Sequence, residues 1–250
     1  MLMFTGGAGT AIGLLGAVSD QASAAGTCAA PSFSYTDGYT YTGGAEGFWD
    51  FINSQNSSLC RPVENGDYYA AWTMIAGAGY PTGYSQSGFM YRAGQPVSGN
   101  WVFAEADTNG TSLPQTAFYQ ASYAPSTVGG PYKFWTWPDP NGGMESGWSN
   151  NSESSVNALL VTNDNDYWAA PWQAEAYGET NHLQSDIPGV PSGPVDFKSP
   201  EFEINGTWSY GNYSSMVPGN NNPSQWFLRA PYSYSPDPDA TDFSIYSYNP

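Results

Sequence analysis

The sequence predicts an all-β protein, an antiparallel β-sandwich built as a single domain. Three observations predict it. Short runs rich in Tyr, Trp, Phe, Val and Thr alternate with Gly/Pro/Asn/Asp clusters from residue 68 onward, the pattern of strands punctuated by turns. Helical periodicity is confined to GFWDFINSQ, 47–55, predicted as one short helix. Aromatics make up 16% of the chain against 11% charged residues, so there is enough apolar surface to offset the entropy of ordering although charge is scarce. A length of 250 residues suits one large sandwich with a substantial core.

Residues 1–24 read as a secretory signal. FTGGAGTAIGLLGAV is a short apolar run, followed by small residues at Ala22-Ser23-Ala24 where a peptidase would cut. The run is too short and too glycine-rich to span a bilayer, so a secreted, extracellular protein free of the membrane is expected. Residues 25–67 form an N-terminal segment with two cysteines, Cys28 and Cys60. An even count in an exported chain reads as one disulfide, worth about 3 kcal/mol on the chain-entropy model. Residues 68–250 carry the sandwich. Its strands are predicted at 68–76, 84–92, 100–107, 116–123, 131–137, 156–162, 167–177, 195–204 and 241–248, and GAGYPTG, DTNG, PDPNGG and PGVPSGP are the turns between them. The tail from about 211, rich in proline and polar residues, is predicted to wrap the sandwich as an extended arm.

Charge narrows the partners. Five Lys and Arg against 22 Asp and Glu give a formal net charge of −17, which excludes nucleic acid because its phosphates would be repelled. A neutral or cationic partner, a polypeptide or a carbohydrate, is compatible. No cofactor is expected. Two cysteines and one histidine, His182, cannot build the usual Cys/His zinc cage, and no G-x-S-x-G elbow accompanies that histidine. NDND, 163–166, lacks the spacing and terminal Glu of an EF-hand calcium loop.

Candidate chemistry comes from strand parity, since alternate residues share a face. Tyr84, Gln86, Gly88 and Met90 share one, as do Trp101, Phe103, Glu105 and Asp107. Gln173, Glu175, Tyr177 and Glu179 share another, with Ala174, Ala176 and Gly178 opposite. An amide and carboxyls among large rings describe a groove floor better than an ordinary wet surface.

Those residues, in that order, resemble the eqolisin-type glutamic peptidases. Ala71-Trp72 is followed, at the family's interval, by Gln86-Ser87-Gly88. Phe103-Ala104-Glu105 is similar to the aromatic–x–Glu strand end, Ala174-Glu175-Ala176-Tyr177-Gly178-Glu179 to Ala-Glu-x-x-x-Glu, and PVDFKSPEFEINGTW to the strand after it. The resemblance covers roughly 70–208. It implies a concanavalin- or jelly-roll-like sandwich and a monomeric, secreted, acid-active endopeptidase. Gln86 would be the oxyanion donor and Glu179 the general base, with Trp72, Phe103, Glu105, Glu175 and Tyr177 in support. Two positions depart from the family: Ala76 and Met90 stand where it has acidic residues, and an inactive relative is therefore an alternative. The residues also fit a carbohydrate-binding module with FWTWPDPNGG, 134–143, and NDNDYW, 163–168, as sugar platforms. A glycosidase with paired carboxylates and a purely structural surface protein complete the alternatives.

Overall fold

A computed structural model describes residues 35–53, 67–77, 83–92, 101–107, 116–120, 131–140, 143–150, 156–161, 172–181, 189–190, 193–213, 216–220, 226–233 and 241–247. The leader, Cys28, Cys60, His182 and the NDND run lie outside them.

The elements are strands: β1 Tyr35–Tyr41, β2 Gly47–Asn53, β3 Tyr68–Ala76, β4 Tyr84–Arg92, β5 Trp101–Asp107, β6 Thr116–Gln120, β7 Pro131–Pro138 and β8 Met144–Asn150. They continue as β9 Val156–Val161, β10 Gln173–Thr180, β11 Gly189–Val190, β12 Gly193–Ile204, β13 Thr207–Tyr210, β14 Val217–Asn220, β15 Trp226–Ser233 and β16 Thr241–Ser247. One sheet runs β14-β1-β10-β3-β4-β5-β6; the other runs β15-β16-β12-β2-β7-β8-β9, with β11 and β13 added on β12. Every described pairing is antiparallel, and the two sheets pack face to face as the predicted sandwich.

Alternation builds the core. Ala71, Ile75, Phe89, Val102, Ala174 and Ala176 point inward from the first sheet. They meet Phe48, Ile52, Phe134, Phe197, Phe243 and Ile245 from the second. Two polar contacts tie the sheets together beneath β4. The Ser85 hydroxyl meets Ser146 Oγ at 2.6 Å, and Ser87 Oγ donates to the Trp135 carbonyl at 2.9 Å; within the second sheet Ser146 Oγ also meets Thr136 Oγ1 at 2.7 Å. Gln86 lies between Ser85 and Ser87, so its backbone is fixed from below while its side chain faces the other way.

The N-terminal elements differ from expectation. The short helix predicted at 47–55 is not formed: residues 47–53 are strand β2, at the centre of the second sheet. Phe48, Asp50 and Ile52 face inward there, and Asp50 is tolerated because the Tyr213 hydroxyl donates to it. Residues 35–41 form β1, an inner strand between β10 and β14. The tail from 211 is not a loose arm in its described parts: β14 edges one sheet, and β15 and β16 belong to the other.

Candidate functional site

The outward face of the first sheet carries the candidate site, and strand register places its parts. Gln86 on β4 pairs with Glu105 on β5 and with Met74 on β3, and Met74 pairs with Glu175 on β10. Glu175, Met74, Gln86 and Glu105 therefore form one row across four strands. The next row is Tyr177, Trp72, Gly88 and Phe103, and a third begins with Glu179, Ala70 and Met90. All seven residues singled out from the sequence, Gln86, Glu179, Trp72, Glu105, Glu175, Phe103 and Tyr177, stand on this face. Ala76 lies on it in the row of Gln173 and Tyr84, and Met90 in the row of Glu179.

The face is recessed. Ala70, Trp72, Met74, Ala76, Met90, Phe103 and Tyr177 form a second buried cluster, separate from the sandwich core. Trp72 and Tyr177 stack with ring centroids 5.4 Å apart, and Tyr177 is held at its far end by a 2.8 Å hydroxyl contact with Thr40. Gly88 sits in this row because nothing larger fits: a Cβ there would run into the Ala71 carbonyl oxygen and lie 2.8 Å from Trp72 Cβ. Over the cluster lies a cavity of about 210 Å³ whose lining includes Gln86, Glu105, Glu175 and Glu179. A neighbouring cavity of about 440 Å³ shares Tyr68, Gln86, Glu105 and Glu179 and extends to Arg92 and Asn181.

The polar groups are differently held. Gln86 Nε2 donates to Glu105 Oε2 at 2.9 Å, which orients the amide and leaves its second N–H free for another acceptor. Both Glu179 oxygens accept hydrogen bonds, Oε1 from the Tyr68 hydroxyl at 2.5 Å and Oε2 from Trp72 Nε1 at 2.6 Å. Glu175 has no hydrogen-bond partner among the described residues, and burial pushes it up to about 7. Two carboxyls of one strand thus sit in contrasting surroundings, one desolvated by burial and one between two donors. Among the described residues no cluster of three or more His, Cys, Asp or Glu could hold a metal ion.

Tyr68 was not singled out from the sequence, although it shares the parity of Trp72. Its position is fixed by the end of β10 and the residue after it: Tyr68 N donates to Asn181 Oδ1 at 3.1 Å, and Thr180 Oγ1 donates to the Tyr68 carbonyl at 2.9 Å.

No family model and no curated protein matches this sequence. Solved structures do. Scytalido-glutamic peptidase with a transition state analog inhibitor is 13% identical at a TM-score of 0.59, covering 85% of this chain and 97% of that one. The same peptidase with a peptide-based transition state analog is 12% identical at 0.58, over the same shares of both chains. SCP-B, a member of the eqolisin family of peptidases in complex with the tripeptide Ala-Ile-His, is 13% identical at 0.53, again covering 85% and 97%. At such identities the likeness is one of fold: this chain has the all-β sandwich of the eqolisin-family glutamic peptidases.

Proposed function

We propose that the protein is an acid-active endopeptidase of glutamic type, in which Gln86, Glu175 and Glu179 act together on a peptide bond. The observation that carries this reading is the single cavity lined by all three together with Glu105. A carboxyl that keeps its proton and a carboxyl held between two donors can take different roles in one reaction. Glu175, desolvated and pushed up to about 7, holds its proton in acid and serves as the general acid. Glu179, fixed by Tyr68 and Trp72, serves as the general base.

The chemistry balances with these groups alone. Glu179 takes a proton from a water as its oxygen adds to the scissile carbonyl carbon. The oxyanion that forms is met by the free N–H of Gln86, a contribution of about 3 kcal/mol for one well-placed donor. An amide suits this task because it does not ionise in acid. Glu175 then gives its proton to the departing nitrogen, the C–N bond breaks, and exchange with solvent returns both carboxyls to their starting forms. Four residues of strand separate the two glutamates by roughly 13 Å between Cα atoms, leaving room for a water and an amide between their carboxyl groups.

The acidic composition and the leader-like 1–24 fit export into an acid medium, where carboxyl protonation relieves the self-repulsion of a −17 chain. An extended polypeptide is the substrate class. Arg92, at the end of the larger cavity, offers an acidic substrate group its one guanidinium among the described lining residues.

The test uses the purified mature protein and an unfolded protein substrate between about pH 2.5 and 7. Cleavage in acid that falls by two or more orders of magnitude in Gln86→Ala, Glu175→Gln and Glu179→Gln alike supports the proposal. Absence of cleavage by the wild type, or undiminished cleavage in all three variants, refutes it.

A further inference from the structure

On the opposite side of the molecule the outward face of the second sheet holds another groove, of about 400 Å³. That is within the ~300–1,000 Å³ range of small-ligand sites. Its lining includes Trp49, Lys133, Trp137, Glu201, Glu203 and Trp208. The β12–β13 hairpin makes one wall. Asn205 and Gly206 at its tip both have positive φ, 52° and 72°, the backbone of an Asn-Gly hairpin turn. Two contacts tie this hairpin to the chain just before β2: Glu46 N donates to the Glu203 carbonyl at 2.7 Å, and Gly206 N donates to Glu46 Oε2 at 3.2 Å. Gly47 leaves space beneath the wall, since a Cβ there would come within 3.0 Å of both Trp208 Cη2 and Glu203 Oε2.

The rings are arranged as a corner. Trp137 stacks on the buried Trp135 at 4.9 Å and 10°, and Trp208 meets Trp137 edge-on at 6.0 Å and 85°. Trp208 is 36% exposed, an unusual state for a tryptophan packed in a row of tryptophans. Carboxyl groups of Glu201 and Glu203 border the rings.

Charge decides between occupants. A polyanion would meet Glu201 and Glu203 in a chain of net charge −17. A cation would be drawn by Glu201 and Glu203, but Lys133 Nζ, 3.6 Å over the Trp49 ring, already places a positive charge in the groove to offset them. A lipid surface would have to desolvate both carboxyls. What remains is a neutral molecule with apolar ring faces and a rim of hydroxyls. We infer that this groove is a carbohydrate-binding site, taking a short neutral oligosaccharide whose sugar rings stack on Trp208 and Trp137 while Glu201, Glu203 and Lys133 bond its hydroxyls. Burial and then Glu46 raise Glu203, so in acid it offers a hydroxyl both a donor and an acceptor. This site stands apart from the peptidase cleft, and its test does not depend on cleavage.

The experiment measures retention of the mature protein on cellulose, chitin and β-1,3-glucan, and tryptophan fluorescence on titration with the matching soluble hexasaccharides. Polygalacturonate and polylysine serve as anionic and cationic probes. Wild type is expected to bind at least one neutral glycan, with affinity falling about tenfold or more in Trp208→Ala. Glu201→Gln, which keeps the rings, is expected to weaken binding less. No binding to any neutral glycan, undiminished binding by Trp208→Ala, or binding to the charged polymers alone would overturn the inference.

Discussion

Replacing Glu175 with glutamine is predicted to abolish cleavage while making the protein more stable near neutral pH. Burial carries this carboxyl from its ordinary 4.5 to about 7. In the folded chain it therefore keeps a proton that the unfolded chain releases between those two values. Over that interval the folded state binds more protons, so stability falls as pH rises. At 1.36 kcal/mol per pH unit the loss reaches about 3 kcal/mol by pH 7 and is constant above. Glutamine has nearly the same shape and nothing to ionise. Urea unfolding of wild type and Glu175→Gln from about pH 4 to 8 reads the effect directly. Burial also raises Asp50 and Asp242, and subtracting one curve from the other cancels them. The difference is expected to be flat below about pH 4.5, to grow toward 3 kcal/mol in favour of the variant by pH 7, and then to level off. A difference that does not change with pH would refute the claim that this carboxyl is desolvated.

Three further substitutions probe how the cleft and its support are held. Trp72→Phe keeps a ring against Tyr177 and removes the donor to Glu179; cleavage is expected to drop roughly 10–100-fold, the worth of a hydrogen bond to a charged group. Gly88→Ala drives a methyl into the Ala71 carbonyl, and a loss of about 1–3 kcal/mol in urea unfolding should accompany weaker activity. Tyr213→Phe leaves the buried Asp50 without its hydroxyl donor, lowering stability by about 1–3 kcal/mol in the same assay while cleavage per folded molecule is unchanged.

Where aromatic and small residues run unbroken, the strands were legible. The predicted 68–76 and 84–92 coincide with β3 and β4, because turn residues bracket each run and no inward position is charged. The face of Glu175, Tyr177 and Glu179 followed from parity alone, with Ala174 and Ala176 turned into the core. Elsewhere local chemistry misled. In β2 a buried aspartate at position 50 interrupts the apolar alternation, and its stabilising partner, Tyr213, is 163 residues away. In β1, Gly38 is there because a Cβ would lie 2.8 Å from Tyr177 Cγ on the neighbouring strand, a constraint that no local pattern carries. Edge strands such as β14, VPGN, contain Pro and Gly and are made by pairing rather than by propensity. The site shows the same division. Residue types marked Gln86 and the two glutamates, whereas the pairing of Tyr68 with Glu179 and the contrast between Glu175 and Glu179 depend on register and burial.

The pH dependence of kcat/KM on an unfolded polypeptide tests most directly whether a proton-bearing Glu175 works beside a neutral amide. The account predicts activity that is present in acid and disappears as pH rises through about 7, the range in which Glu175 loses its proton. A rate that instead climbs through that range would require the ionised form of Glu175 and would contradict the assignment of acid and base.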